Sequence, residues 1–185
     1  MFHLLWDASA LAKRYVAEIG SQTVNALFIA VPAAQMVTTI MSYSETFAAL
    51  LRKHNQRVLS VTAFTAALAA LRNEVIDDPD FVVVGLEFDD ILDGIELIKR
   101  HNLNSTDGAT LQAFLKHAGA LRPAVVSVLV ASDQRLLRAA KAEGLEVLNP
   151  ESVQAVDIRR CWRHYDSSDR GIEVKQHSGN WRNLA

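Results

Sequence analysis

An α/β fold, with a central parallel sheet of four to five strands and helices on both faces, is predicted by three features of this sequence. Short apolar runs alternate with segments of helical period along the chain. The clearest run, residues 125–131, is apolar throughout except for Ser127, as expected of a strand covered on both faces. Half of the 185 residues are hydrophobic, enough to bury a substantial core in one domain.

The elements follow in order. Residues 2–6, FHLLW, form a first strand that stops on Asp7, and the small helix formers after it predict a helix over 8–16. Gly20 supplies a stop and Ser21 an N-cap for a second helix to about residue 30, ended by Pro32. Residues 36–40 are short, apolar and β-branched, a second strand leading directly into a helix over 42–54. Ser42 and Glu45 match the S-x-x-E capping box at its start. An alanine-rich helix over 60–76 precedes a turn at Asp77, Asp78, Pro79 and Asp80, a brief strand over 81–84 and a helix over 87–101. After a polar loop, Asp107 opens a helix to about residue 118, with Asn104, Ser105 or Thr106 as its cap. The strand over 125–131 stops at Ser132 and Asp133, a helix over 134–143 ends at Gly144, and residues 146–148 form a last strand closed by Asn149 and Pro150.

The chain divides into a domain over 1–150 and a C-terminal extension over 151–185, partly helical or irregular, with a change of composition from Asp157 onward. The extension is slightly basic and carries Trp162, Tyr165 and Trp181 among arginines, suited to packing on its own domain or to stacking on RNA. Over the whole chain 19 Lys and Arg face 21 Asp and Glu, a formal charge of −2, so nothing draws the protein generally to nucleic acid; contact there has to be local or mediated by a cation. A lone cysteine, Cys161, excludes an internal disulfide and a Cys-rich metal site and fits a reducing compartment. The start has no basic region before its apolar run, and the uncharged stretch over 19–44 is interrupted by Gly20, Asn25, Pro32 and Gln35, so neither a signal peptide nor a membrane span is expected. A soluble, cytoplasmic protein is expected.

Four acids stand at or near helix starts that follow strands or loops: Asp7, Glu45, Asp107 and Asp133. Singly, Asp7 and Asp133 read as N-caps, Glu45 as part of a capping box, and Asp107 as a charge suited to a helix dipole. Together they are different, because in a parallel sheet such junctions share the carboxyl edge, where ligands sit. Four carboxylates converging there cannot all remain ionised without compensation, and a divalent cation supplies it. An all-oxygen donor set favours Mg²⁺ or Mn²⁺ over Zn²⁺, and carboxylate-held Mg²⁺ serves phosphate chemistry.

WDASALAKRYV around Asp7, SYSETFAALLRK around Glu45, STDGATLQAFL around Asp107 and VLVASDQRLLRAAKAEGLEVLNP around Asp133 together resemble a PIN-domain ribonuclease, most closely the VapC-type toxins of bacterial toxin–antitoxin pairs. The resemblance covers roughly residues 1–150. It implies a PIN-like three-layer sandwich and a Mg²⁺- or Mn²⁺-dependent endoribonuclease, inhibited by a small antitoxin protein. It makes Asp7, Glu45, Asp107 and Asp133 the catalytic, metal-holding quartet, with Ser9 as a supporting position. Ser132 offers either support or a helix cap. Gly108 stands where Ala is commoner, a departure that looks harmless. A homodimer is expected, and the apolar faces of the helices over 42–54 and 60–76 suit either core packing or a dimer or antitoxin groove.

Lys13, Arg14, Arg52 and Lys53, with Arg57 beyond them, follow the first two acids and are candidate contacts to RNA phosphates, or solvated helix faces. The six histidines show no paired spacing, which gives little support to a metal-free acid–base nuclease. Two other readings remain: a PIN-like nuclease without antitoxin that processes RNA or DNA, and a non-catalytic α/β binding or regulatory module. A dehalogenase-like phosphatase fits less well, because Ser9 stands where a second Asp is needed, and Gly-rich phosphate loops are absent.

Overall fold

The structure, a computed structural model, describes residues 1–153. Five parallel strands, β1 (Phe2–Trp6), β2 (Met36–Thr39), β3 (Val82–Val84), β4 (Val126–Val130) and β5 (Glu146–Leu148), form one sheet in the order β3-β2-β1-β4-β5. Strand β1 is central, with Trp6 in register with Thr38 on one side and Val130 on the other. The chain crosses first to β2 and later to β4, so the order reverses at β1, and a cleft opens at the carboxyl ends there.

Side chains alternating along the strands feed two cores, which is why the central runs read as continuously apolar. Leu4, Trp6, Met36, Val128 and Val130 face one layer, and Leu5, Val37, Leu129 and Ala131 face the other. The first layer contains α1 (Ala8–Leu11), α2 (Ser21–Ala30), α3 (Ile40–Asn55) and α4 (Val61–Val75); the second contains α5 (Phe88–His101), α6 (Ser105–Leu121) and α7 (Gln134–Ala142). This is the expected three-layer α/β sandwich. Among the described residues no helix is long and apolar enough to cross a membrane.

Several local expectations are corrected. The helix expected over 8–16 is one α-helical turn that tightens into a 3-10 turn over Ala12–Arg14. Helix α3 begins at Ile40 because Thr39, not Ser42, is its cap: the Thr39 hydroxyl accepts from the Ser42 amide at 3.0 Å. The Ser42–Glu45 capping box is therefore absent, and Glu45 sits in the second turn, free to project elsewhere. Asn104 caps α6, which starts at Ser105 and places Asp107 in its first turn. Gly20 itself, at φ +88°, is the N-cap of α2, and a Cβ there would lie 2.9 Å from the Pro150 backbone. That approach clamps residues 150–153 to the α2 turn, where the Thr23 hydroxyl donates to the Val153 carbonyl at 2.6 Å. The rest of the expected extension, with Trp162, Tyr165 and Trp181, lies outside the described residues.

Gly108 is not a harmless departure. It faces Gly94 where α5 crosses α6, and a Cβ on Gly108 would lie 2.4 Å from Ile98 Cγ1. The two glycines let these helix backbones touch one residue beyond Asp107.

Candidate active site

Asp7 follows directly on β1, and its amide extends the ladder by donating to the Val130 carbonyl at 3.0 Å. Its carboxylate caps α1 by accepting from the Ser9 amide at 2.8 Å and also accepts from the Ser9 hydroxyl. That hydroxyl oxygen in turn accepts from the Ser132 amide at 2.8 Å and the Asp133 amide at 3.4 Å. Ser9 thus ties the end of β1 to the end of β4. Asp133 caps α7, accepting from the Arg135 and Leu136 amides through one oxygen, Oδ1. Ser132 is not the cap; its hydroxyl is buried with no hydrogen-bond partner among the described residues, and its backbone amide does the work.

Asp107 is oriented by Asn104, whose side chain accepts from the Asp107 amide at 2.7 Å and donates to its carboxylate at 2.9 Å. Glu45 reaches in from α3. All four acids, with Ser9 and Asn104, line one cleft of about 330 Å³ that runs on past Ala49 to Glu18, Arg52 and Lys53. Convergence at the carboxyl edge therefore holds for the whole quartet.

Their electrostatics are those of an uncompensated negative site. Burial pushes the Asp7 carboxyl above its usual range, partly opposed by the two hydrogen bonds from Ser9, with a further upward push from Asp133. Glu45 is raised by burial and by the charge of Asp7. Asp107 is pushed up to about 6 by burial and then by Asp7, Asp133 and Glu45 together, with Arg135 pulling the other way. The donor set is all oxygen and its excess charge is negative, which fits a hard divalent cation. As the side chains stand, no three His, Cys, Asp or Glu among the described residues close round a single ion position. The carboxylates line the cleft rather than pre-form a cage.

The four candidate phosphate contacts divide. Lys13 is buried and paired with Glu151 at 2.8 Å and Glu18 at 3.5 Å, so it is a structural ion pair. Arg14 is held by Glu74 at 2.7 Å and Asn25 at 2.8 Å and lies over the Phe28 ring, packing α2 and α4 together. Only Arg52 and Lys53 line the cleft, Lys53 being paired with Glu18. Two histidines do meet in space despite their spacing, His3 Nδ1 and His117 Nε2 lying 3.3 Å apart, but His3 is at the start of β1, the end of the strand away from the acids. Asn104, Thr106 and Arg135 were not singled out from the sequence as site residues. Asn104 and Thr106 read in the sequence only as candidate helix caps, and Arg135 carries no motif.

No protein-family model matches the chain, and no curated protein does. Solved structures do. The chain is similar in structure to FitAcB from Neisseria gonorrhoeae (TM-score 0.55, 14% identity, covering 80% of this chain and 97% of that one). It is also similar to VapC20 of Mycobacterium tuberculosis, described as a toxin that cleaves the sarcin-ricin loop (TM-score 0.55, 20% identity, 77% and 95% covered). A third likeness is to PAE2754 from Pyrobaculum aerophilum (TM-score 0.53, 16% identity, 90% and 98% covered). The fold is PIN-like, as in these neighbours.

Proposed function

We propose that this chain is a Mg²⁺- or Mn²⁺-dependent endoribonuclease, the toxin of a toxin–antitoxin pair, acting on RNA in the cytoplasm. The observation that carries the reading is one cleft at the β1–β4 reversal lined by four carboxylates, in which the charges of the other three help push Asp107 up to about 6. VapC20, similar in fold, is described as a toxin that cleaves the sarcin-ricin loop, and FitAB, also similar, has been solved bound to a DNA fragment. Those likenesses support a toxin with an antitoxin partner.

Asp7, Glu45, Asp107 and Asp133 would hold the cation, which when bound neutralises phosphate charge and lowers the pKa of water. The chain's own residues supply position. Ser9 holds the Asp7 carboxylate and locks it to the Ser132 amide, and Asn104 holds the Asp107 carboxylate. Asp133 caps through Oδ1, which leaves its other oxygen for the cleft. Arg52 and Lys53 attract the flanking strand. Hydrolysis by water in line leaves a 5′-phosphate and a 3′-hydroxyl, whereas attack by the ribose 2′-hydroxyl leaves a cyclic phosphate. Partner surfaces are at hand: α3 exposes Ile40, Met41, Phe47 and Leu51, and α5 exposes Phe88, Ile91, Leu92 and Ile95, suited to an antitoxin helix or a second copy in a homodimer.

The deciding experiment measures cleavage of RNA by purified protein with Mg²⁺ and with excess chelator, with end-group analysis, beside growth on expression of wild type and Asp7→Ala. Metal-dependent cleavage to 5′-phosphate ends and growth arrest lost in the variant are expected. Cleavage that persists in chelator sinks the metal role, and neither cleavage nor arrest indicates a binding module.

A further inference from the structure

Helix α3 carries Glu45, Ala49, Arg52 and Lys53 into the same cleft. Steps of four, three and one residue put them on one helix face, and the seven residues from Glu45 to Arg52 rise about 10.5 Å. The cleft therefore has an acidic end and a basic end, separated by more than one nucleotide step of about 3.4 Å in a stacked strand. Facing the basic end is Glu18, from the turn before α2, which pairs with Lys53 and at 3.5 Å with Lys13. Lys13 does not depend on Glu18, because Glu151 holds it at 2.8 Å. Lys53 makes no other ion pair among the described residues. One carboxylate thus occupies the lysine that the cleft presents to an incoming anion.

Resting on the nuclease reading for the identity of the ligand, we propose that Arg52 and Lys53 form a second phosphate subsite for a single-stranded RNA, a few nucleotides from the scissile phosphate, and that Glu18 is its internal counter-ion. A phosphate of the strand takes Lys53 from Glu18 when it binds, so the exchange sets how tightly a strand is held. Strands too short to reach from the acidic end to Lys53 gain nothing from it. Glu18 acts only through Lys53, as a positioning residue.

The test is binding of a fluorescein-labelled single-stranded oligoribonucleotide to the full chain in chelator, read by anisotropy across a salt series, with folding of each variant followed by thermal melting. Glu18→Gln is expected to bind about three- to tenfold tighter, and Lys53→Met to weaken binding and flatten the salt slope by about 0.7. The double variant should match Lys53→Met alone. Glu96→Gln makes the same change in net charge on α5, where the carboxylate pairs with Lys99 outside the cleft lining, and should leave affinity unchanged. Glu18→Asp, whose shorter carboxylate draws back from Lys53, should shift affinity in the same direction if Glu18→Gln does not fold. The proposal is overturned if Glu18→Gln binds no tighter, if Glu96→Gln gains equally, if the gain survives Lys53→Met, or if wild type does not bind. Parallel cleavage assays in Mg²⁺ separate the two readings. Cleavage without the Glu18 effect removes the subsite alone, and the Glu18 effect without cleavage removes the nuclease alone.

Discussion

At the residue scale, Asp7 performs two tasks with one carboxylate: it caps α1 and it faces the cleft. Because burial disfavours its charge, Asp7→Asn should fold at least as stably as wild type in chelator while losing metal-dependent cleavage; a melting temperature well below wild type would make the cap its main role. Ser9→Ala removes the hydroxyl that ties Asp7 to the Ser132 amide and should lower cleavage about 10- to 100-fold with the fold retained, as seen by circular dichroism. Asp107 gives the pH dependence. Its carboxyl titrates near 6 in the folded protein against an ordinary 3.8, so the folded state holds the extra proton between those values. Metal-free stability therefore falls as pH rises from 3.8 to 6 and stays low above that. Asp107→Asn should raise the melting temperature in chelator at neutral pH by a few degrees, about 1 kcal/mol or less once solvent screening is counted, and the gain should vanish in acid.

At the element scale, the site depends on how closely α5 and α6 cross. A Cβ on Gly94 would lie 2.9 Å from the Gly108 carbonyl, backbone that cannot turn aside. Gly94→Ala should force the helices apart and cost about 1–3 kcal/mol in a urea melt. Since Gly108 adjoins Asp107, the same variant should also reduce cleavage by displacing that carboxylate. An exposed glycine with open space around it, Gly119, is the control, where Ala should be neutral or slightly stabilising.

At the scale of the whole molecule, the cleft gathers acids from the ends of β1 and β4, from α3 and from α6, and leaves their repulsion in place when no cation is present. A ligand that binds only the folded state stabilises it by mass action. Mg²⁺ or Mn²⁺ at about a hundred times its dissociation constant should add about 2.7 kcal/mol, and chelator should remove it. The increment should be lost in Asp7→Asn and kept in Glu74→Gln, a carboxylate that serves Arg14 away from the cleft. Equal increments in both variants would place the cation elsewhere.

Element types and the sheet itself were legible in the sequence because each depends on local pattern: continuous apolar runs for buried parallel strands, and helical period with glycine or proline stops between them. The four acids were legible for the same reason, since each sits at or near a helix start next to a strand or loop. What the linear pattern left open concerned partners distant along the chain. Lys13 and Arg14 read as surface charges until Glu151 and Glu74 were placed beside them, and Gly108 read as incidental until α5 was laid across it. The capping box at Ser42 and Glu45 met a competing local signal, Thr39, one short step upstream, and the earlier cap released Glu45 to the cleft. By itself, then, the sequence determined the alternation of strand and helix and the acids at their junctions, because both follow from short-range periodicity and capping chemistry. Only the tertiary structure decided which cations face the cleft, because ion pairing depends on which carboxylates the fold brings within reach.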